Sequence, residues 1–256
     1  GDKRGHTATS ARHGPIGPPE LFLLAGSVGL AATGCSQSAG SASPPAPATS
    51  RTIAPPALLS SAAPSAVMLC RDAWGARPAR DGGRPHTIDR MTIHHSAVAL
   101  PDNRQIIARL QQHQRYHQDD KGWVDIAYHA AVDRRGNIFA LRDTAIAGDT
   151  ATNYDPSGHF LILCEGNFDD ETVSEAQLDS AALVCAWAMR EFGITVDTLA
   201  SHREVTPVTS CPGDGLEAHL TSGDLQQRIT DIATSGFDLQ PLCGPDADAR
   251  VAAIQA

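Results

Sequence analysis

The sequence has no run of lysine and arginine residues along its main body and no apolar segment long enough to cross a membrane. Of its 256 residues, 20 are lysine or arginine and 29 are aspartate or glutamate, so the net charge is −9. Surfaces that bind nucleic acids need clustered basic residues, and we therefore expect no nucleic-acid partner. The N-terminal apolar run, residues 21–32, is 12 residues long, whereas a transmembrane helix needs about 20.

Residues 1–35 have the organisation of an export signal. Basic residues precede the apolar run, which ends in the sequence "AATGC" at Cys35. A basic region, an apolar stretch and a small-residue cleavage site are typical of secretory signals. The ending resembles a bacterial lipobox, in which Cys35 would carry the lipid after cleavage. Ordinary signal cleavage near Ala32 is the alternative.

The rest of the chain divides into three parts by composition. Residues 36–67 are rich in serine, alanine, proline and threonine, which predicts a disordered linker because such sequence cannot bury enough apolar surface to offset ordering. Residues 68–243 contain the patterned sequence and predict one folded domain. Residues 244–256 are expected to form a C-terminal tail.

The patterned part predicts an α/β fold, a single domain with a central mixed β-sheet flanked by helices. Residues 90–98 are β-branched and apolar, residues 125–141 have the pattern of a hairpin, and residues 158–166 form a continuous apolar run typical of a central buried strand. The clearest helix follows Ser174, which with Gln177 predicts a capping box. Further helices are expected after residue 102 and over residues 223–236.

His202 and Cys211 lie nine residues apart around a proline-rich turn. Histidine and cysteine are good zinc ligands, and a catalytic zinc needs three protein ligands and one open position. The sequence "TIHHS" offers His94 and His95 at the end of a predicted strand, where neighbouring side chains point to opposite faces, so only one can join a site. Taken singly, each of these two histidines is better explained by a structural role.

Six segments in this order resemble the zinc-dependent N-acetylmuramoyl-L-alanine amidase family, which includes T7 lysozyme-like enzymes and the peptidoglycan recognition proteins. They are "AWGARP", "TIHHSA", "GWVDIAYH", "GNF", "EAQL" and "SHREVTPVTSCPGD". The resemblance implies that His94, His202 and Cys211 bind Zn²⁺. It also implies catalytic roles for Tyr128 and Thr209.

In such a site, zinc would polarise the substrate carbonyl and lower the pKa of bound water towards about 7. Tyr128 would donate its phenol proton to the developing oxyanion or hold the water, and Thr209 would add a second hydrogen bond. The alternatives are a hairpin tyrosine that packs at the edge of the core and a turn hydroxyl that bonds its own backbone. The resemblance implies hydrolysis of the amide between N-acetylmuramic acid and L-alanine in peptidoglycan.

The partners expected from this resemblance are peptidoglycan or muropeptides and, through the lipid on Cys35, a membrane. We expect a monomer in the bacterial cell envelope, exported and membrane-anchored, either periplasmic or at the cell surface. Two other functions stay open: a peptidoglycan-binding recognition module without catalysis, and an amidase specific for soluble anhydro-muropeptides. Recognition modules typically lack the cysteine ligand, so Cys211 favours an enzyme.

The remaining cysteines have simpler interpretations. Cys70 and Cys243 bracket the domain and are candidates for a disulfide in an oxidising envelope. Cys164 and Cys185 lie on predicted buried faces and are expected to be core thiols, with a bridge between them as the alternative.

Two departures from the family pattern bear on the site. The common "GAH" is replaced by "GDT" at residues 148–150, which suggests that this part of the groove recognises a different stem peptide. A glutamate found on the central strand of wall-recycling relatives is matched by Leu163. Glu165 lies one pleat further along the strand, where a surface carboxylate is the favoured interpretation and a catalytic base the alternative.

Overall fold

A computed structural model of the protein describes residues 64–256. The predicted signal segment, its Cys35 and most of the predicted linker therefore lie outside the described residues. Within the described part, no helix combines the length and the apolar character that crossing a membrane requires.

Seven strands form one mixed sheet, which confirms the predicted fold class. The strands are β1 (Ser65–Leu69), β2 (Arg90–His95), β3 (Ala130–Val132), β4 (Ile138–Ala140), β5 (His159–Cys164), β6 (Leu199–Ser201) and β7 (Asp238–Leu242). Their order across the sheet is β6-β2-β5-β3-β4-β1-β7. Only the β3–β4 hairpin is antiparallel among these pairs, and all other neighbours are parallel.

Helices cover both faces of the sheet. They are α1 (Ile106–Arg115), α2 (Glu175–Phe192), α3 (His202–Val205), α4 (Asp214–Thr221), α5 (Asp224–Ser235) and α6 (Gly244–Gln255). Two hydrophobic clusters separate the layers: one joins the sheet to α2, α4 and α5, and the other joins it to α1 and α6. A parallel sheet buried on both faces explains why β5 reads as an uninterrupted apolar run.

Helix α2 begins after the predicted N-cap, Ser174, but only one of the two hydrogen bonds of the predicted capping box is present. The Ser174 hydroxyl accepts the backbone N–H of Gln177 at 3.1 Å. The Gln177 side chain does not return to Ser174. Instead, it is fully buried and donates to the carbonyl oxygens of Val132 and Glu165, both at 3.0 Å. These two bonds direct the side chain away from Ser174, and they supply a donor to the buried carbonyl of Glu165.

Both ends of the folded domain extend beyond the predicted boundaries. Strand β1 begins at Ser65, inside the segment predicted as linker, and pairs along its length with β7. Residues 244–256, predicted as a tail, form α6, which buries Ala247, Val251 and Ile254 against the sheet. These apolar residues recur at helical spacing and form one buried face. The prediction of a tail outside the domain is therefore wrong.

The cysteines divide into one bridge and three free thiols among the described residues. Cys70 and Cys243 form a disulfide that joins the end of β1 to the start of α6. Cys164 and Cys185 are unbridged and fully buried on the sheet and on α2. The third free thiol, Cys211, belongs to the site described next.

Candidate active site

The site is built where β2 and β6 end at the same edge of the sheet. These strands are parallel neighbours, with Ile93 opposite Ser201. The residue after Ile93 is His94 and the residue after Ser201 is His202. These two histidines therefore lie side by side, with ring centroids 4.5 Å apart. A capping box between Ser201 and Glu204 starts helix α3 at His202 and fixes where this histidine leaves the strand.

The turn after α3 returns Cys211 to the two histidines. Arg203 donates its backbone N–H to the Cys211 carbonyl at 2.9 Å, which closes the loop. The Cys211 sulfur accepts the backbone N–H of His95 at 3.4 Å and lies 3.7 Å from Nδ1 of His94. The His95 ring points the other way and packs near Phe168, so only the first histidine of the pair reaches the cluster.

His94, His202 and Cys211 form a compact, buried set of metal-ligand atoms. One ligand atom from each lies within 4.8 Å of the other two. A tetrahedral zinc, with Zn–N near 2.0 Å and Zn–S near 2.3 Å, separates nitrogen and sulfur ligands by about 3.5 Å. The 3.7 Å separation between His94 and Cys211 fits this arrangement. The donor set therefore fits zinc in both chemistry and spacing.

Burial controls the protonation of the three side chains. It lowers the pKa of His94 well below the ordinary value and that of His202 to about 4, so both imidazoles are neutral at pH 7. Burial also raises the pKa of the Cys211 thiol to about 12. Neutral imidazoles are ready ligands, whereas the thiol needs the field of a cation to ionise.

Tyr128 lies beside the cluster in a groove of about 300 Å³. Its ring centroid is 5.2 Å from that of His94. Burial, with Cys211 as the next contribution, raises the pKa of the phenol, so the hydroxyl stays protonated. The Tyr128 ring also packs against the hydrophobic cluster that joins the sheet to α1 and α6. Its position is therefore compatible both with the predicted role in the site and with the alternative of packing at the core edge.

Thr209 also lines the groove, and its hydroxyl oxygen accepts the backbone N–H of Cys211 at 3.1 Å. This bond is the turn role that the sequence left as an alternative. It uses the oxygen as an acceptor and leaves the hydroxyl proton available for another partner. The bond also ties Thr209 to the position of the Cys211 ligand.

Four other histidines are divided between the groove and the core. His117 lines the groove, and His113 lines an adjoining cavity of about 350 Å³ that Tyr128 shares. His129 and His159 have structural partners: His129 Nδ1 accepts the N–H of Leu161, and His159 Nδ1 meets the hydroxyl of Thr92.

The prediction that Glu165 is a surface carboxylate is wrong. Leu163 pairs with His94 in the sheet, so Glu165 lies one pleat further along the same face. It is 0% exposed and not a surface carboxylate, because α1 covers this end of β5 and places His113 over it. Its two oxygens lack a well-oriented hydrogen bond from the described residues, although His113 Nε2 lies 2.9 Å from Oε1.

A model of the N-acetylmuramoyl-L-alanine amidase family matches residues 84–214, about half of the chain, and this range contains the whole cluster. The chain belongs to this family. The match confirms the resemblance inferred from the sequence motifs. Strands β1 and β7 and helices α5 and α6 lie outside the matched range.

Several relatives share this domain. Peptidoglycan-recognition protein SC2 of Drosophila melanogaster is 30% identical over 152 residues, which cover 58% of this chain and 82% of that protein. N-acetylmuramoyl-L-alanine amidase of Homo sapiens is 32% identical over 156 residues, 57% of this chain and 26% of the human protein. This chain therefore spans about a quarter of the human relative.

A solved structure of a Drosophila PGRP-LB variant in complex with tracheal cytotoxin has a TM-score of 0.54 and 25% sequence identity to this chain. The alignment covers 61% of this chain and 93% of that one. The similarity therefore spans nearly the whole of the solved domain.

Two residues that contact His202, Thr152 and Tyr154, were not predicted from the sequence, and the Tyr154 ring centroid lies 5.2 Å from that of His202. Thr152 places its hydroxyl oxygen 2.9 Å from Nε2 of His202. The segment 148–150 stood out as a departure from the family pattern, but its consequence was assigned to the substrate groove. The signal that could have found Thr152 was the short sequence "TAT" at residues 150–152, which begins at the last residue of the departure.

Proposed function

We propose that this protein is a zinc-dependent N-acetylmuramoyl-L-alanine amidase, which hydrolyses the amide between N-acetylmuramic acid and the L-alanine of the stem peptide. The observation that carries the proposal is the cluster of His94, His202 and Cys211 at the floor of an open groove. The family and the name of the human relative support the choice of bond.

The three ligands suit a hydrolytic metal. Bound Zn²⁺ would supply Lewis acidity and lower the pKa of a coordinated water towards about 7. Two neutral imidazoles and one thiolate contribute a single negative charge, so the donor set leaves a net positive charge where the carbonyl oxygen would lie. Three protein ligands leave the fourth position open to the groove.

The groove supplies the hydrogen-bond donors that amide hydrolysis needs. The Tyr128 hydroxyl stays protonated and donates to the carbonyl oxygen as negative charge develops there. Thr209, whose oxygen is engaged by the Cys211 N–H, turns its hydroxyl proton towards the same oxygen. The burial of the three ligand residues lowers the local dielectric and strengthens these interactions.

Recognition without catalysis is the second candidate. Several relatives carry the name peptidoglycan-recognition protein, and one solved neighbour holds tracheal cytotoxin. A recognition module needs the groove but not a hydrolytic metal. Cys211 in ligand position favours the enzyme, and the third candidate, an amidase restricted to soluble anhydro-muropeptides, differs from it only in substrate.

The deciding experiment measures zinc content and hydrolysis in parallel. The full chain is incubated with purified peptidoglycan, and free L-alanine amino groups and reducing sugar ends are quantified before and after chelation and zinc repletion. We expect about one zinc per chain and new amino groups without new reducing ends. Cys211→Ser should lose both metal and activity.

Three outcomes separate the candidates. Binding to peptidoglycan without product, in zinc-loaded protein, identifies a recognition module. Cleavage of soluble anhydro-muropeptides but not of intact sacculi identifies the restricted amidase. Full activity of Cys211→Ser rejects the proposed metal chemistry.

Location at a bacterial envelope is part of the same proposal. The export-like segment at residues 1–35 and the Cys70–Cys243 disulfide, which suits an oxidising compartment, support it. The test is metabolic labelling with a fatty acid in a bacterial host. We expect label in the wild-type chain and none in Cys35→Ala, and labelling of neither would leave ordinary signal cleavage as the explanation.

A further inference from the structure

The second ring nitrogen of His202 is engaged by a pair of threonines. Thr152 Oγ1 lies 2.9 Å from His202 Nε2 and 2.8 Å from Thr150 Oγ1. Thr150 Oγ1 also accepts the backbone N–H of Thr152 at 3.1 Å. The contacts are satisfied in either direction: His202 Nε2–H donates to Thr152 and Thr152 to Thr150, or Thr150 donates to Thr152 and Thr152 to His202 Nε2.

Only the first direction is compatible with a metal ion on Nδ1 of His202. A proton on Nε2 leaves the lone pair on Nδ1, the nitrogen that then serves as metal ligand. His94 differs, since its buried Nε2 has no hydrogen-bond partner among the described residues while its Nδ1 lies next to Cys211. The orientation of His202 is therefore controlled by side-chain hydroxyls in a way that the orientation of His94 is not.

The loop that carries the threonines is anchored on both sides. At its start, Asp149 pairs with Arg142, whose side chain is almost fully buried, at 2.6 Å. At its end, Asn153 accepts a hydrogen bond from Thr206, just after α3. The Tyr154 ring meets the His202 ring edge-on at a centroid distance of 5.2 Å. Thr152 is thus held against His202 by contacts that do not involve a metal.

We infer that Thr152 is a positioning residue of the metal centre, which holds His202 in the tautomer and orientation that presents Nδ1 to zinc, with Thr150 as the second hydroxyl of the relay. The inference rests on the proposed function, because it presumes that the cluster binds zinc. It assigns the departure at residues 148–150 to the metal centre, in place of the altered substrate recognition expected from the sequence. Removing such an outer partner typically costs 10- to 100-fold in metal affinity.

The test compares zinc dissociation constants of full-length variants by competition with a chromophoric chelator. Thr152→Val removes the hydroxyl at nearly constant volume and should weaken zinc binding about 10-fold or more. Thr152→Ser keeps the hydroxyl, so its zinc affinity should lie within about threefold of wild type. Thr230→Val, an exposed threonine on α5, is the matched control and should leave zinc affinity unchanged.

A second readout reports the tautomer directly. Nitrogen-15 spectra of the zinc-loaded protein, with His202 assigned by its Gln variant, should show His202 protonated at Nε2. In zinc-loaded Thr152→Val that proton has lost its acceptor, so its exchange with water should be faster than in zinc-loaded wild type. Circular dichroism checks that each variant is folded.

The outcomes distinguish the inference from the function beneath it. If wild type binds zinc and Thr152→Val binds it equally well, the positioning role is wrong and the proposed enzyme stands. A loss of thermal stability without a loss of zinc affinity has the same meaning, since Thr152 would then be purely structural. If wild type binds no zinc, both the inference and the proposed function are rejected.

Discussion

Nε2 of His113, which lines the cavity next to the groove, lies 2.9 Å from Oε1 of Glu165. Glu165 is fully buried and its oxygens receive no well-oriented hydrogen bond from the described residues. A buried carboxylate of this kind costs stability unless a partner compensates its charge. His113, whose side chain is 15% exposed, is the partner in contact.

The first prediction concerns the removal of either member of this pair. His113→Leu leaves the carboxylate buried and alone, and should lower the free energy of unfolding by about 3 kcal/mol. The double variant His113→Leu/Glu165→Leu replaces both groups with apolar ones and should lie within about 1 kcal/mol of wild type, or above it. Urea unfolding of all four proteins in a double-mutant cycle measures the coupling. If the free energy of unfolding fell equally in His113→Leu and in the double variant, the predicted coupling between His113 and Glu165 would be wrong.

A second prediction separates the chemistry of Tyr128 from metal binding. Tyr128→Phe removes the hydroxyl and keeps the ring that packs 5.2 Å from His94. Zinc content should stay at the wild-type level, while kcat falls by about 100-fold or more because a proton donor to the oxyanion is lost. Steady-state kinetics on muropeptide substrate, with metal analysis of the same samples, measures both. Wild-type kcat in a zinc-loaded variant would show that this hydroxyl has no part in the reaction.

The third prediction concerns the disulfide at the β1–β7 edge of the sheet. Cys70→Ser/Cys243→Ser should lower the free energy of unfolding by about 2–4 kcal/mol, because the bridge closes a long loop in the unfolded chain. Three strands separate β1 from β2 in the sheet, so zinc content should not change. Denaturant unfolding with and without a reducing agent measures the effect. The reductant should weaken wild type and leave the double variant unaffected, and an equal response of both would assign the stabilisation elsewhere.

Much of the fold could be predicted because local patterns and tertiary contacts agree. The β5 run is apolar throughout because helices cover both faces of a parallel strand, and Ser174 caps α2 as its sequence indicates. The second hydrogen bond of the predicted capping box is absent because the Gln177 side chain donates instead to two buried carbonyls. Only the tertiary structure brings these carbonyls to Gln177, so the local sequence could not indicate them.

The site divides along the same line. The metal cluster could be predicted because motif identity places His94, His202 and Cys211, however far apart they are along the chain. The burial of Glu165 could not, because it depends on how α1 lies across the end of β5. The contact of Thr152 with His202 could not either, since it joins residues 50 positions apart through a loop that departs from the family pattern.

The last prediction is a loss of stability in acid that is traced to His129. This histidine is 2% exposed, accepts the N–H of Leu161 at Nδ1 and meets the carbonyl of Ile146 at Nε2, an arrangement that requires the neutral ring. Burial lowers its pKa to about 3 in the folded state, against about 6.5 in an unfolded chain. Between these values the unfolded chain binds the additional proton, so stability rises with pH and is lost as the pH falls from about 6.5 towards 3, by up to about 1.4 kcal/mol per pH unit.

His129→Gln isolates this contribution, because glutamine can donate and accept hydrogen bonds but does not titrate in this range. Urea unfolding of metal-free wild type and variant at pH 7 and pH 5 measures it. The variant should be less stable than wild type at pH 7, and the difference should shrink by about 1–2 kcal/mol at pH 5. The other buried histidines titrate in both proteins, so only the difference between the two reports on His129. A difference that is the same at both pH values would mean that His129 takes up its proton equally in the folded and unfolded chains, which its two backbone hydrogen bonds oppose.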